Sequence, residues 1–195
     1  MSNNSIYSDE MEFVSRAGHK LQHALSEFKL SIRDLICADF GCNLGGFTDC
    51  LLQNGARMIY SVDTSKNCLE WNLRNNPKVI VLEKTNAMHV ELPEKVDLIS
   101  SDVAWTKQDK ILPSIYKNLK DGGLAITLIK PHYEAERIEL HKGKVKEEFL
   151  EEIIERIKLK FEENNFTLLN LTESPITGRS GKNTEYLALL KPKPQ

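Results

Sequence analysis

Read for apolar and polar positions, the chain opens on a polar stretch and then becomes periodic. Ala17, Leu21, Ala24, Leu25 and Phe28 recur at helical spacing behind Ser15, whose hydroxyl suits an N-cap, so an amphipathic helix is predicted here. Short apolar runs, often β-branched, follow at 35–40, 58–63, 79–82, 96–100, 124–129, 166–171 and 186–190, and they predict seven strands. Helical patterns at 47–53, 66–73, 111–119 and 145–161 fall between them. Asn54-Gly55 closes the first of these and Gly122-Gly123 the third, while Pro113 suits the first turn of its helix, where a missing N–H costs least.

Strands that alternate with helices, and that are apolar along most of their length, predict a parallel sheet covered on both faces: a doubly wound α/β fold. The last two strands are joined by TESPITGRSGKNTE, which carries no helical pattern, so they are expected to pair as an antiparallel hairpin at the sheet edge. Residues 1–12 read as a polar tail, 13–191 as one domain and 192–195 as a disordered tail.

Composition narrows the class. With 28% charged and 41% hydrophobic residues the chain is neither a disordered nor a membrane sequence. Its first dozen residues are polar and no apolar run reaches the length of a bilayer, so the expectation is a cytoplasmic protein with no membrane partner. A net charge of -2 argues against bulk polyanion binding, and any RNA contact must be local. Cys37, Cys42, Cys50 and Cys68 form no CxxC pair and have no histidines at zinc spacing, which predicts inert thiols and no metal. His19 and His23 lie four apart but lack a third ligand, and read as a solvated pair.

The chemistry concentrates in ADFGCNLGGFTDC, Ala38 to Cys50, where a strand runs through a glycine-rich turn into a helix. In a doubly wound sheet ligands lie outside the carboxyl ends of the strands at the switch point, which the first strand borders. Asp39, Gly41, Gly45 and Gly46 stand there; glycines let the backbone approach a ligand, and the next helix offers free N–H groups. The spacing does not match the dinucleotide fingerprint G-x-G-x-x-G. Asp63 ends the second strand, where a carboxylate can take both hydroxyls of a ribose or simply cap the strand. Asn86 follows the third strand, where an amide can meet an adenine. Together these positions suit an adenosyl ligand without a pyrophosphate.

Six blocks in order carry a resemblance: FVSRAGHKL from Phe13, DFGCNLGGFTDCLL from Asp39, VDTSKNCLEWNLRNNPKV from Val62, EKTNA from Glu83, LIKPHYEA from Leu128 and SPITGRSGKNTEYL from Ser174. The chain resembles the FtsJ-like RNA 2′-O-methyltransferases, and among them the TlyA-like, hemolysin-type rRNA methyltransferases. The resemblance implies a Rossmann-like class I methyltransferase sheet of about seven strands with the last strand antiparallel and helices on both faces. It implies S-adenosyl-L-methionine as the cofactor, contacted by Gly45, Phe47, Asp63, Asn86 and Asp102, and RNA, from rRNA or a ribosomal subunit, as the partner. It also implies a catalytic set of Lys20, Asp102, Lys130 and Glu185.

A ribose 2′-hydroxyl is a poor nucleophile, so methylation needs in-line placement against the sulfonium methyl and a group that removes or polarises the proton. Desolvation and the second ammonium of Lys20 favour loss of the Lys130 proton, whereas Asp102 and Glu185 hold it on. Base or electrostatic clamp therefore stays open at this point. SDVAW departs from the family's pattern through Trp105, which suits stacking on an unpaired base as well as packing at the sheet's rim. Arg16, Lys20, Lys107, Lys142, Lys144, Arg179 and Lys182 are candidates to track phosphates. No block matches the N-terminal RNA-binding domain of TlyA-like proteins, which leaves the substrate open. Two other readings stay open beside the enzyme: a non-catalytic nucleoside-binding protein of the hemolysin-type family, and a methyltransferase with a small-molecule or protein substrate.

Overall fold

The computed structural model describes residues 13–177 and 183–194. A seven-stranded sheet forms the centre, built from β1 (Ile36–Phe40), β2 (Met58–Val62), β3 (Val79–Leu82), β4 (Val96–Ser101), β5 (Leu119–Ile129), β8 (Phe166–Glu173) and β9 (Tyr186–Pro192), in the order β3-β2-β1-β4-β5-β9-β8. The pairs from β3 to β5 are parallel, and β9 runs antiparallel to both β5 and β8. The expected hairpin of the last two strands is therefore present, with β9 inserted between β5 and β8 and β8 at the edge. A separate two-stranded hairpin, β6 (Leu140–His141) and β7 (Lys144–Val145), stands apart from the sheet.

All five residues of β1 are buried, which is why the strand reads as a continuous apolar run rather than an alternating one. On one face, α1 (Ala17–Glu27) and α2 (Gly46–Gln53) bury Leu21, Leu25, Phe47 and Leu51 against Cys37, Ile59 and Leu98. On the other, α4 (Gln108–Asn118) and α6 (Glu147–Glu163) bury Ile111, Ile115, Ile157 and Phe161 against Phe40, Ile99 and Phe166. The short helices α3 (Trp71–Arg74) and α5 (Pro131–Glu134) follow β2 and β5.

Several boundaries differ from the periodicity. Arg16, not Ser15, is the N-cap of α1 and makes no side-chain cap; the Ser15 carbonyl accepts from Gly18 N at 3.1 Å. α4 starts at Gln108 because Glu134 Oε1 accepts from its backbone N at 2.6 Å, so Pro113 lies well inside the helix. Gly122 and Gly123 fall within β5 rather than closing α4, beside a shift of register between β4 and β5 at Val96/Leu98. Of the 66–73 pattern only 71–73 is helical, within α3, which Glu70 caps. Of the expected C-terminal tail, Pro192 closes β9 and Lys193 N donates to Asn165 O at 2.8 Å. The 1–12 tail, Arg179 and Lys182 lie outside the described residues. Among those described, no helix is long and apolar enough to cross a membrane.

Candidate active site

Strand order reverses between β1 and β4, and the carboxyl ends of β1, β4 and β5 open onto a cavity of about 1000 Å³. Gly41, Phe47, Asp102, Lys130, Lys20 and Glu185 line it, drawn from the β1 turn, α2, the ends of β4 and β5, α1 and the segment before β9. Six of the residues expected from sequence are thus brought to one space.

Two backbone approaches shape the turn. Gly41 sits at φ +86°, and a Cβ there would stand 2.7 Å from the Asp102 carbonyl oxygen, so glycine lets β1 and β4 close together at the cavity wall. A Cβ on Gly46 would meet Ser15 Oγ at 2.2 Å and Gly18 N at 2.9 Å, so this position lets the start of α1 lie on the start of α2. The Asp49 carboxylate ties the same contact by accepting from Val14 N at 2.8 Å. Gly45, the N-cap of α2, is left-handed at φ 99°.

Asp39, Gly45, Gly46, Asp63 and Asn86 do not line the cavity. Asp39 is fully buried beneath the turn, where Oδ2 accepts from the Thr48 hydroxyl at 2.7 Å and Oδ1 has no partner among the described residues. Burial pushes the Asp39 carboxyl up to about 7, against the lowering bond from Thr48 and with a smaller rise from Asp102. Asp63 is half-buried beyond β2, its Oδ2 accepting from Asn43 N at 2.9 Å and its Oδ1 from Ser65 N at 2.8 Å, which ties the turn to β2. Asn86 is exposed and its Oδ1 accepts from Met88 N at 2.9 Å.

The remaining four polar residues form two ion pairs. Lys130 Nζ lies 2.5 Å from Asp102 Oδ1 and 3.3 Å from the Val103 carbonyl oxygen. Lys20 pairs with Glu185, both buried. Lys130 also stands 5.6 Å from the centre of the Tyr133 ring. Trp105 stacks on Tyr133 at 5.3 Å and is 86% exposed, so it sits at the mouth of the cavity and not packed into the sheet's rim.

His132 carries no local signal that distinguishes it in the sequence. It lines the cavity, and its Nδ1 is buried without a hydrogen-bond partner among the described residues. Burial holds its pKa below the usual histidine value, Glu185 opposing and Lys130 adding to the effect. The β6–β7 hairpin also borders the cavity through Leu140 and Gly143. Asn183 pins it, accepting from Val145 N at 2.9 Å and donating to the Gly143 carbonyl at 2.9 Å. The signal for this hairpin is HKGK: Lys142 at φ +49° and Gly143 at φ +79° are the pair of left-handed residues that a two-residue hairpin turn demands. Arg16 lines the cavity, Lys142 and Lys144 are exposed on that hairpin, and Lys107 is the exposed N-cap of α4. His19 packs edge-on to Phe13 while His23 meets Thr172 Oγ1 at 3.2 Å, so the two histidines have separate partners.

Residues 13–191 match the family model of the FtsJ-like methyltransferases. The chain belongs to the FtsJ-like methyltransferase family. Among relatives, Hemolysin A of Brachyspira hyodysenteriae is 41% identical over 187 residues, covering 91% of this chain and 76% of that protein. The 16S/23S rRNA (cytidine-2′-O)-methyltransferase TlyA of Mycobacterium tuberculosis is 31% identical over 192 residues, covering 95% of this chain and 71% of that one. A solved structure of a protein described as a hemolysin, from Streptococcus thermophilus, superposes with a TM-score of 0.90 at 37% identity over 95% of this chain and 69% of that chain. Every FtsJ-like block quoted above falls within the matched span.

Proposed function

We propose that the chain is an S-adenosylmethionine-dependent RNA 2′-O-methyltransferase that acts on rRNA in the cytoplasm. One observation carries the reading: two lysine–carboxylate pairs, assembled from four distant points of the chain, face a single cavity whose wall is the glycine turn after β1. The residues fit an adenosyl sulfonium. Gly41 leaves open backbone at the cavity, Phe47 offers an apolar surface there, and the Asp63 carboxylate beside the turn suits a ribose. The family relatives supply the rRNA assignment, and Arg16, Lys142 and Lys144 suit phosphate contacts around the cavity.

When bound, S-adenosylmethionine supplies a methyl group on a sulfonium. The protein's task is to place the ribose hydroxyl in line and take its proton. In the ion pair Lys130 is an ammonium; once it has given one proton to solvent, the two N–H bonds kept on Asp102 and the Val103 carbonyl leave a lone pair for the hydroxyl. Lys130 Nζ then takes the hydroxyl proton, and Asp102 balances the ammonium that this restores. Lys20, fixed by Glu185, supplies a standing positive charge at the same cavity.

The test is methyl transfer from S-[methyl-³H]adenosylmethionine to purified rRNA and to intact ribosomal subunits, followed by nucleoside analysis. Label in 2′-O-methylnucleosides is the expected result. Label confined to bases, protein or small molecules refutes the reading.

A further inference from the structure

Outside the lysine pairs, the described residues bring two thiols and a carboxylate together at the glycine turn, where Cys42 also lines the cavity. Cys42 Sγ, Cys68 Sγ and an Asp63 carboxylate oxygen all lie within 4.8 Å of one another, contributed by the turn after β1, the end of β2 and the segment before α3. We propose that Cys42, Asp63 and Cys68 form a binding site for a thiophilic divalent cation, such as Zn²⁺ or Cd²⁺, and that the cation competes with the cofactor for Asp63. The competition rests on the ribose role given to Asp63 above; the metal site does not.

The chemistry of the donors selects the ion. Two sulfurs and one oxygen suit a tetrahedral soft or borderline cation, and they do not suit Mg²⁺ or Ca²⁺, which take oxygen shells. Metal–sulfur bonds of about 2.3 Å and metal–oxygen bonds of about 2.0 to 2.2 Å put tetrahedral ligands about 3.6 to 3.8 Å apart, so the side chains need close by only about 1 Å. Cys42 is buried, with Leu69, Leu73 and Val79 in its apolar cluster, which backs the sulfur with a water-excluding wall.

The surrounding charge favours a cation. Asp39, Asp63 and Glu83 all act on Cys42 with the same sign, and Glu83 Oε1 lies 3.9 Å from Cys68 Sγ. Arg74, the cation beside Glu83, is already engaged in an ion pair with it. A cation bound by two thiolates displaces a proton from each thiol. Spacing along the chain predicts inert, metal-free cysteines because Cys42 and Cys68 meet only through the β1–β2 pairing.

The reduced protein, kept in a non-thiol reductant, is titrated with Cd²⁺ while thiolate-to-metal absorbance is followed in the ultraviolet. Wild type should reach an endpoint at one equivalent. Cys42→Ser and Cys68→Ser should each bind more than about 100-fold more weakly, beyond the 10- to 100-fold typical of changes outside the ligand set. Cys37→Ser should behave as wild type, and thermal melts report that each variant is folded. Saturating S-adenosylhomocysteine should move the wild-type midpoint to higher Cd²⁺. Absorbance that never develops, that survives in both serine variants, or that is lost with both thiols through oxidation before metal is added overturns the site. A midpoint unmoved by bound S-adenosylhomocysteine overturns the competition. Calorimetry that detects no S-adenosylhomocysteine binding defeats the functional reading instead, and leaves the absorbance endpoint to decide the metal site alone.

Discussion

Lys130 and Asp39 make opposite use of burial. Lys130 stands at the cavity with Asp102 and the Val103 carbonyl as its partners, so Lys130→Ala should remove the proposed proton acceptor and leave the glycine turn intact. Single-turnover methylation should fall by about 100- to 10,000-fold, with cofactor affinity by calorimetry nearly unchanged. Lys130→Arg should not restore the rate, because a guanidinium keeps its proton and has no lone pair to offer. Asp39 instead carries its burial as a stability term. Its folded pKa of about 7 lies above the value of about 3.9 expected when unfolded, so between the two the native state holds a proton that the unfolded chain has lost. Stability should therefore fall as pH rises from about 4 to about 7 and level off above that, by up to about 4 kcal/mol from this group. Urea unfolding at pH 5 and pH 8 should show the drop in wild type and lack it in Asp39→Asn; equal drops in both would remove the assignment. The residues themselves are readable in the sequence because each lies in a distinctive block. Which acid meets which lysine is not: Lys20 and Glu185 are 165 positions apart, and the unpartnered Nδ1 of His132 depends on packing that no local pattern encodes.

At the next level up, the turn between β1 and α2 is the element on which the site depends. Gly41→Ala combines a left-handed backbone with a Cβ placed 2.7 Å from a main-chain oxygen, which cannot swing aside as a side chain can. The substitution should lower stability by at least about 1 to 3 kcal/mol and weaken cofactor binding with it, read as the urea midpoint and a calorimetric Kd. Gly122 is also at positive φ, but a Cβ there would meet nothing within 4 Å, so Gly122→Ala serves as a comparison that carries the backbone strain without the collision. The glycine turn is legible because its conformation restricts the residue type. The start of α4 is not, since Glu134 caps it from across the fold, and the β6–β7 hairpin escapes a reading by periodicity because its strands are only two residues each.

Across the molecule, the alternation of strand and helix identifies the doubly wound sheet, and the antiparallel character of its end follows from a linker without helical pattern. What the pattern cannot carry is the insertion of β9 between β5 and β8, which is a matter of long-range pairing. That insertion brings Glu185 to Lys20. Removing one partner of this pair should cost up to about 3 to 5 kcal/mol, because the charge left behind is mostly buried and unpaired. Lys20→Met and Glu185→Leu should each show the loss in urea melts, and the double variant should recover a large part of it; strictly additive losses would mean that the two charges do not act on each other. The place of β9 also sets an order of assembly during synthesis. A nascent chain that has emerged through β5 holds the glycine turn, Asp102 and Lys130 but has neither the acid that fixes Lys20 nor the asparagine that pins the β6–β7 hairpin. Chains interrupted before residue 183 would thus carry the glycine turn without Glu185 or Asn183, so one wall of the cavity is completed only as the last strand threads into the sheet.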